Sequence, residues 1–484
     1  MQPVQGVAQH VRQILRHPET FLPNDNEYSI HLIATHATET VGKRPKRAAT
    51  AVMIGILLAS LDGAIVNLAL PNIGTAFSAQ PSAAIWVANA YQLAGAACIL
   101  IFASLGQLSG SRNVFAGGLI AFIVASLGCS LSPTLPWLIA ARVLQGISYA
   151  AMVSVGIGLY RKIFPPQLLG TLLGINALVV SLGTAVGPAL GGLIISYASW
   201  PWLFLINIPP GLLAVFLAYA ALPNEPSATG RFDYPGALAS ALGIGLLVAV
   251  VQEFNHLQVV ERVFACALIV SLCTLFIFRQ ARTCYPLLAL DIFKSTRFNL
   301  AVASSITLFV AQGLAIVTVP FELERDDGYS VLQAAMLFTP WPLSICVLAP
   351  LAGRLSRRVR ATALSTLGAF LFAAGLASLA FLTPDQDAFT ILWRTAMCGI
   401  GYGLFLPPNN KAMFDNASGD RSFAVSGVLS TARTLGQSIG GALAAVLLLS
   451  GSSPTNGFQH CFAAASLLAV TAGCISFFRR ATVS

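Results

Sequence analysis

Charged residues are scarce in this chain: Asp, Glu, Lys and Arg occupy only 9% of the 484 positions, whereas apolar residues occupy 56%. Soluble domains average about 25% charged residues, so this chain cannot build a water-facing surface of ordinary size. The composition therefore excludes a soluble globular protein and predicts one whose main solvent is the lipid bilayer.

Motifs for disulfides, metal sites and catalysis are also missing. None of the nine cysteines forms a Cys-x-x-Cys pair, and all except Cys284 fall inside apolar segments, so buried free thiols are expected. The two histidines near apolar segments, His256 and His460, lie at segment ends. Paired carboxylates, metal-ligand spacing and a phosphate-binding loop are absent as well. We therefore expect no metal, no cofactor and no enzyme activity.

Long apolar stretches, by contrast, recur at the length of about 20 residues that a membrane helix needs. Fourteen spans are predicted, near residues 48–70, 84–105, 114–132, 136–160, 170–195, 202–222, 234–252, 260–278, 299–321, 331–353, 361–382, 389–410, 423–449 and 458–478. They predict an all-α membrane protein with two six-helix bundles and two inserted helices between them.

These spans divide the chain into five parts. Residues 1–46 are polar and lack the apolar core of a signal peptide, so we expect a cytoplasmic N-terminal tail. The N-terminal bundle would occupy residues 47–222, the inserted helices with their linker 223–298, and the C-terminal bundle 299–478. Residues 479–484 would form a cytoplasmic C-terminal tail.

Basic residues concentrate on one side of the predicted spans. If the N-terminus is inside, the inner loops contain most of the Lys and Arg, including Arg161, Lys162 and Arg357, while the outer loops contain mainly acids such as Asp385. Because Lys and Arg resist translocation, this asymmetry predicts that both termini are cytoplasmic. The net charge of +9 comes largely from such short loops and does not indicate nucleic acid binding.

The two predicted bundles contain an internal repeat. The segment GQLS at Gly106 recurs as GRLS at Gly353. GISYA at Gly146 recurs as GIGYG at Gly399, and LGTAVG at Leu182 recurs as LGQSIG at Leu435, both after 253 residues. Duplicated bundles that face each other are how many carriers alternate access to a central site.

Several motifs resemble the major facilitator superfamily, in particular its fourteen-span drug:proton antiporter branch. LDGAIVNLALP at Leu61 resembles the signature of the first span, and RVLQG at Arg142 is similar to that of the fourth. WLFLIN at Trp202 and FDYPG at Phe232 resemble the starts of the sixth span and the first inserted helix. The residues that fit the antiporter motif of the fifth span are Gly174, Gly183, Gly187, Pro188, Gly191 and Gly192. The resemblance covers residues from the first span to the last and implies a secondary transporter.

The loop after the second span departs from the family's pattern. The family has Gly-x-Leu-x-Asp-Arg there, whereas this chain has Gly110 in place of the Asp and Ser111 in place of the Arg. In the family this Asp and Arg latch helices in one conformation. We therefore expect slower or differently biased switching, and a non-functional descendant is an open alternative.

Asp62 is the candidate for proton coupling. An Asp at the centre of a membrane helix costs about 2.5–3.5 kcal/mol, so an acid retained there is a functional hypothesis. Arg142 lies at a comparable depth in an antiparallel helix. Contact with Arg142 would favour the ionised carboxylate and desolvation would favour the neutral acid, so Asp62 could load and release a proton. A static polar clasp between the two helices is the alternative.

Two further groups of residues have open roles. Gly183, Gly187 and Gly191 recur every four residues, which makes a side-chain-free stripe (the glycine stripe). The resemblance implies a flexible seal kinked at Pro188, and ordinary helix packing is the alternative. Candidates for a substrate cavity are Asn67, Asn89, Tyr91, Gln92, Trp341 and Arg433. Packing is favoured for the aromatic and amide side chains, whereas Arg433 lacks an obvious acidic partner, so an anion or proton-path role is open.

The sequence thus predicts a proton-coupled antiporter in the cytoplasmic (inner) membrane of a bacterium, exporting small amphipathic or cationic compounds. Its partners would be the small-molecule substrate, protons and the lipid bilayer, with no nucleic acid, and the chain would act as a monomer. Two alternatives are open: an exporter of a dedicated metabolite such as a siderophore, amino acid or antibiotic, and a non-transporting sensor or scaffold.

Overall fold

The computed structural model describes residues 44–79, 81–224, 232–252, 257–283, 286–288, 290–325, 331–382, 387–417, 421–450 and 454–479. The predicted N-terminal tail lies outside this part up to residue 43, and the predicted C-terminal tail lies outside it from residue 480. The chain from Ala48 onward forms one compact unit.

The described residues form α-helices and one short 3₁₀ helix, Leu290–Lys294. The α-helices in chain order are α1 Arg44–Ala76, α2 Pro81–Leu108, α3 Ser111–Ser130, α4 Leu135–Ile163, α5 Pro166–Tyr197, α6 Trp202–Leu205, α7 Ile208–Ala221, α8 Tyr234–Gln252, α9 Val259–Arg282, α10 Thr296–Arg325, α11 Val331–Phe338, α12 Pro340–Leu355, α13 Ala361–Leu379, α14 Ala388–Asp415, α15 Ser422–Ser450 and α16 Pro454–Phe478. We refer to α1–α7 as the N-terminal half and to α10–α16 as the C-terminal half.

Each predicted span coincides with one of these helices or with two consecutive ones. The sixth span is divided between α6 and α7, and α7 has proline in its first turn after Asn207. The tenth span is divided between α11 and α12, and α12 begins with Pro340. Proline has no backbone N–H to continue the hydrogen bonds of a preceding helix, so new helices start at these points.

Twelve of the described helical segments are long and apolar enough to cross a membrane. Helix α8 is apolar over the shorter stretch Tyr234–Val250. These findings confirm an all-α protein with membrane-length helices, and the count of fourteen spans stays a prediction.

Helices that correspond in the internal repeat make corresponding contacts. Helix α2 packs against α15, where a Cβ on Gly427 would lie 2.7 Å from the Cβ of Ala103. Helix α5 packs against α12, where Gly174 lies against the backbone of Ala349. Small residues let these backbones approach closely, so both pairs join the N-terminal half to the C-terminal half.

Arg161, near the C-terminal end of α4, also joins the two halves. Its guanidinium donates to the backbone carbonyl of Phe414 and, at 2.8 Å, to that of Ala417, at the end of α14. Beside it, the ammonium of Lys162 lies 4.5 Å from the centre of the Phe423 ring. The last carbonyls of a helix lack partners within the helix and attract cations, so Arg161 completes the end of α14.

The loop between α2 and α3 lacks the Asp and Arg that latch helices in the family, and its contacts lie within the N-terminal half. Gly110 has a φ of 86°, a left-handed conformation that glycine adopts readily. Arg112 donates to the backbone carbonyl of Tyr219 at 2.8 Å, within the N-terminal half. The hydrogen bond of Arg112 therefore does not join the two halves. On the same side of the molecule, Arg161 supplies a link between them.

The helices α8 and α9 pack on each other, and α8 also contacts α2 and α15. Asp233, immediately before α8, accepts hydrogen bonds from Gly236 N at 3.1 Å, Arg279 Nε at 2.8 Å and Gln280 Nε2 at 3.0 Å. Asp233 thus caps the start of α8 and ties it to the end of α9.

Replacing Arg161 with alanine removes the cation that binds the last carbonyls of α14. A hydrogen bond to a charged group contributes about 1.5–3 kcal/mol, and the lower end applies because this side chain is partly exposed. We therefore expect amide hydrogens in the last turn of α14 to exchange about tenfold faster, as measured by hydrogen–deuterium exchange mass spectrometry.

Arg112→Ala is the matched control, because it removes a guanidinium–carbonyl hydrogen bond that lies within one half. It should leave exchange at the end of α14 unchanged. Equal exchange in Arg161→Ala and the wild type would contradict the link between the halves.

Candidate functional site

Asp62 of α1 is completely buried, with 0% of its surface exposed. Arg142 of α4 is 1% exposed, and its Nη1 donates to Oδ2 of Asp62. The two residues predicted for proton coupling therefore form an ion pair in the protein interior. Removing two charges from water costs free energy that their attraction offsets only when the remaining polar atoms also have partners.

Two side chains whose roles the sequence did not predict supply those partners. Gln145 Nε2 and Asn207 Nδ2 each donate to Oδ1 of Asp62 at 2.9 Å. Gln145 Oε1 also accepts from Nη1 of Arg142 at 2.7 Å. Gln145 belongs to the RVLQG motif and Asn207 ends the WLFLIN motif, so the sequence did mark both residues as members of family motifs. Their meeting around one carboxylate depends on the packing of α1, α4 and α7.

Helix α2 holds the other side of the Arg142 guanidinium. Nε of Arg142 donates to the carbonyl of Val87 at 2.9 Å, and its Cζ lies 4.3 Å from the centre of the Tyr91 ring. The hydroxyl of Tyr91 donates to the carbonyl of Ala59 in α1 at 3.0 Å. Arg142 is thereby fixed by backbone, carboxylate and aromatic ring together.

The glycine stripe of α5 packs on the segment of α1 that carries Asp62. Gly183, Gly187 and Gly191 face Ser60, Ala64 and Ile65, in that order. A Cβ on Gly187 would lie 2.6 Å from the Cβ of Ala64, which is closer than van der Waals contact allows. The stripe therefore lets α5 lie directly against the backbone of α1 beside the ion pair.

The remaining residues of the predicted antiporter motif have other positions. Gly174 packs against α12, and Gly192 lines a cavity between the N-terminal and C-terminal halves. The side chain of Pro188 lies outside the described residues, as does that of Asn67.

A cavity of about 1470 Å³ lies between the two halves. Its described lining comes from α1, α2, α4 and α5 on one side and from α10, α11, α12, α14 and α15 on the other. The lining extends to Tyr197 at the C-terminal end of α5, which is 87% exposed, so the cavity reaches the surface on the side opposite Arg161.

Four of the predicted cavity residues line this space: Tyr91, Gln92, Trp341 and Arg433. Asn89 does not. Trp341 both packs and lines the cavity, since it is 2% exposed and its ring lies 5.5 Å from that of Phe372. Neither Asp62 nor Arg142 belongs to the lining, whereas Tyr91 contacts both Arg142 and the cavity. The ring of Tyr91 therefore lies between Arg142 and the cavity.

Further polar residues of the lining were missed by sequence reasoning. Gln437 Nε2 donates to Gln312 Oε1 at 3.1 Å across α10 and α15. Tyr149 and Tyr402 line opposite sides of the cavity and occupy the same position of the repeated GISYA and GIGYG segments. The internal repeat was the signal that could have identified this pair of tyrosines.

Membrane-length helices, an internal repeat, and a central cavity that reaches the surface on one side define the class of protein: a membrane transporter. The family model described as Major Facilitator Superfamily matches residues 52–441 and again residues 301–483, so the chain belongs to this family of membrane transporters. Members of the family are transporters and not enzymes.

Curated relatives include transporters of different kinds. The chain is 43% identical over 431 residues to an uncharacterized transporter, YebQ, of Escherichia coli (strain K12), covering 88% of this chain and 94% of that protein. It is 30% identical to the riboflavin transporter RibZ of Clostridioides difficile (strain 630), with coverage of 80% and 85%. It is 29% identical to the multidrug resistance protein Stp of Mycobacterium tuberculosis (strain ATCC 25618 / H37Rv), with coverage of 83% and 75%.

Solved structures share the fold. The human organic anion transporter MFSD10 superposes with a TM-score of 0.66 at 17% identity, covering 89% of this chain and 99% of that one. The proton:xylose symporter XylE superposes with a TM-score of 0.64 at 15% identity, covering 90% and 95%. The chain is therefore a multi-pass membrane protein with the major facilitator fold.

Gly187→Ala should destabilise the protein by about 1–3 kcal/mol, because the added methyl group overlaps Ala64 and forces α5 away from α1. A lower midpoint of thermal unfolding in detergent would show this loss. Gly117→Ala in α3 is the matched control, because a Cβ there meets no atom within 4 Å. Equal midpoints for the two variants would contradict close packing along the glycine stripe.

Proposed function

We propose that this chain is a proton-coupled antiporter that exports small amphipathic compounds across the cytoplasmic membrane of a bacterium. The observation that carries the proposal is the ion pair of Asp62 and Arg142, enclosed beside a large central cavity. Acids within membrane segments are costly, and where they are retained they mark ion and proton pathways. The curated relatives named above are all bacterial, and one is named a multidrug resistance protein.

Asp62 is the proton acceptor in this mechanism. Its carboxylate accepts hydrogen bonds from Arg142, Gln145 and Asn207, which hold it between α1, α4 and α7. Protonation removes the negative charge and leaves Arg142 without a counter-ion in a buried environment. Because an unpaired buried cation is unfavourable, Arg142 moves toward the cavity, and the helices that hold it move with it.

The glycine stripe lets this movement occur without a leak. Helices α1 and α5 touch through backbone and small side chains along the segment that carries Asp62. They can tilt against each other without moving large side chains, and no gap opens for water. This is the flexible seal that the resemblance to antiporters implies.

We assign the side with Arg161 and Lys162 to the cytoplasm, because the Lys and Arg residues of the loops favour this orientation. Both termini are then cytoplasmic. The cavity, which reaches the surface near Tyr197, faces outward. In this state an exported compound leaves and Asp62 takes a proton from outside.

We further propose fourteen spans, with a boundary between bundle and inserted pair near residue 222 and another near residue 299. Helix α15 has 29 residues and packs along α10, and α8 has 19 residues and pairs with α9. Adding α8 and α15 to the twelve apolar segments gives fourteen.

Export of a dedicated metabolite is the second candidate function, and the observation that favours it is the relative named a riboflavin transporter. Cationic compounds are less favoured, because the described lining contains no acidic side chain and Asp62 is enclosed behind Tyr91. The sensor or scaffold alternative is disfavoured by the cavity and by Arg161, which links the halves where the family's latch is missing.

Asp62→Asn should reduce proton-driven uptake into everted membrane vesicles by roughly a hundredfold, the effect of losing a proton-transferring group. The assay would use a panel of amphipathic fluorescent compounds that includes riboflavin. Exchange of labelled for unlabelled substrate without a gradient should persist, because the amide keeps the shape of the site and only the proton is lost.

Asp291→Asn is the matched control, since that carboxylate is 46% exposed and pairs with Arg421 at the surface. It should transport like the wild type. Proton-driven uptake by Asp62→Asn at the wild-type rate would remove Asp62 from the mechanism.

If α8 and α9 both cross the membrane, fusions to a reporter enzyme on either side of each helix should give a specific pattern of activity. Alkaline phosphatase fused after residues 230, 256 and 284 should be inactive, active and inactive, because the enzyme folds only outside the cytoplasm. Activity at both 230 and 256 would show that α8 does not cross the membrane.

A further inference from the structure

Arg433 of α15 is the charged side chain in the described lining of the central cavity. Arg433 lies about 16 Å along the helix axis from Ser422, the first residue of α15. This position is close to the middle of the helix and therefore deep in the membrane. Arg433 makes no hydrogen bond or ion pair with any described residue. A charged residue at this depth that faces a cavity marks the path of a substrate or ion.

The other buried charges near the cavity are already neutralised. The carboxylate of Asp62 accepts from three donors, and Arg142 in turn is held by Asp62 and the Val87 carbonyl. Neither residue belongs to the lining. The described lining therefore carries one positive charge and no acid, so its field favours an anion.

Polar atoms of two other residues in the described lining also lack partners. Ser430, one turn before Arg433 on the same face of α15, is 5% exposed, and its Oγ has no hydrogen-bond partner among the described residues. Asn410 of α14 is 7% exposed, and its Oδ1 likewise has no partner in the part of the chain that the structure describes. Both residues line the cavity. Buried polar groups of this kind are normally satisfied, so they indicate a polar ligand or ordered water.

Aromatic rings surround the same space. Tyr149 and Tyr402 line the same cavity as Arg433. Trp341 lines the cavity beside Phe338, with ring centres 5.5 Å apart. Aromatic side chains stack on planar ligands, and a guanidinium binds a carboxylate through two parallel hydrogen bonds.

We propose that Arg433 anchors the acid group of a planar aromatic anion, such as an aromatic carboxylate, in the central cavity. The rings of Tyr149, Tyr402 and Trp341 contact the flat part of the ligand, and Ser430 donates a further hydrogen bond. This inference rests on the proposed function in that it names the substrate class of the exporter.

Binding to the purified full-length protein, measured by isothermal titration calorimetry, tests the inference without a proton gradient. The probes are naphthoate, its neutral amide naphthamide, and (naphthylmethyl)trimethylammonium, which share one aromatic body. The wild type should bind naphthoate about tenfold or more tightly than either of the other two, as expected for one charge-assisted pair.

Arg433→Gln should lose the preference for naphthoate over naphthamide while its Kd for naphthamide stays unchanged, which also shows that the variant is folded. Arg433→Lys should retain part of the preference, because the charge remains but the planar donor pair is lost. The control Arg394→Gln removes an arginine of the same half that lies outside the lining and near Glu322, and should bind like the wild type.

Three results would overturn the inference: equal or tighter binding of the ammonium probe by the wild type, an unchanged preference in Arg433→Gln, or no binding of naphthoate. The proposed proton coupling would fail by a different result, which is wild-type transport by Asp62→Asn. The two failures are therefore distinguishable.

Discussion

The carboxylate of Asp62 imposes the constraint on which the N-terminal half depends. A charge with 0% exposure can remain there only if donors surround it, and Arg142, Gln145 and Asn207 provide them from α4 and from the start of α7. Loss of one partner of a buried pair costs about 3–5 kcal/mol, because the other charge is left uncompensated. The positions of α1, α4 and α7 are thus tied to the charge state of one group, which is what a proton-driven conformational change requires.

Close packing transmits that constraint to the rest of the molecule. The glycine stripe brings α5 onto the segment of α1 that carries Asp62, and Gly174 of the same helix packs on α12 of the other half. Helix α5 therefore touches both the ion pair region and the C-terminal half. Tyr91 connects the ion pair to the cavity in the same way, since its ring contacts Arg142 and also lines the cavity.

The internal repeat is symmetric in packing but not in charge. In the N-terminal half Arg142 donates to the carbonyl of Val87 in α2, and in the C-terminal half Thr395, which occupies the position equivalent to Arg142, donates to the carbonyl of Leu337 in α11 at 3.1 Å. At this position the C-terminal half keeps the helix contact without a cation, and its buried acid Glu322 lies near Arg394 instead. The C-terminal half also has Arg433, which faces the cavity. This division separates the site proposed for protons from the site proposed for substrate.

Much of this protein could be predicted from its sequence, because lipid requires long apolar helices and leaves few alternatives. The membrane-length helices, the repeat and the pairing candidates Asp62 and Arg142 were all visible in the order of residues, whereas the count of fourteen spans stays a prediction. Gln145 and Asn207 could not be assigned, although both stand in recognisable motifs, because they approach Asp62 from segments 83 and 145 residues away. Enclosure of Asp62 behind Tyr91, the link through Arg161 and the exposure of Arg433 to the cavity were decided by tertiary structure alone. The physical reason is that hydropathy records whether a residue belongs in lipid or water, whereas partners inside the bundle are determined by how separate helices pack.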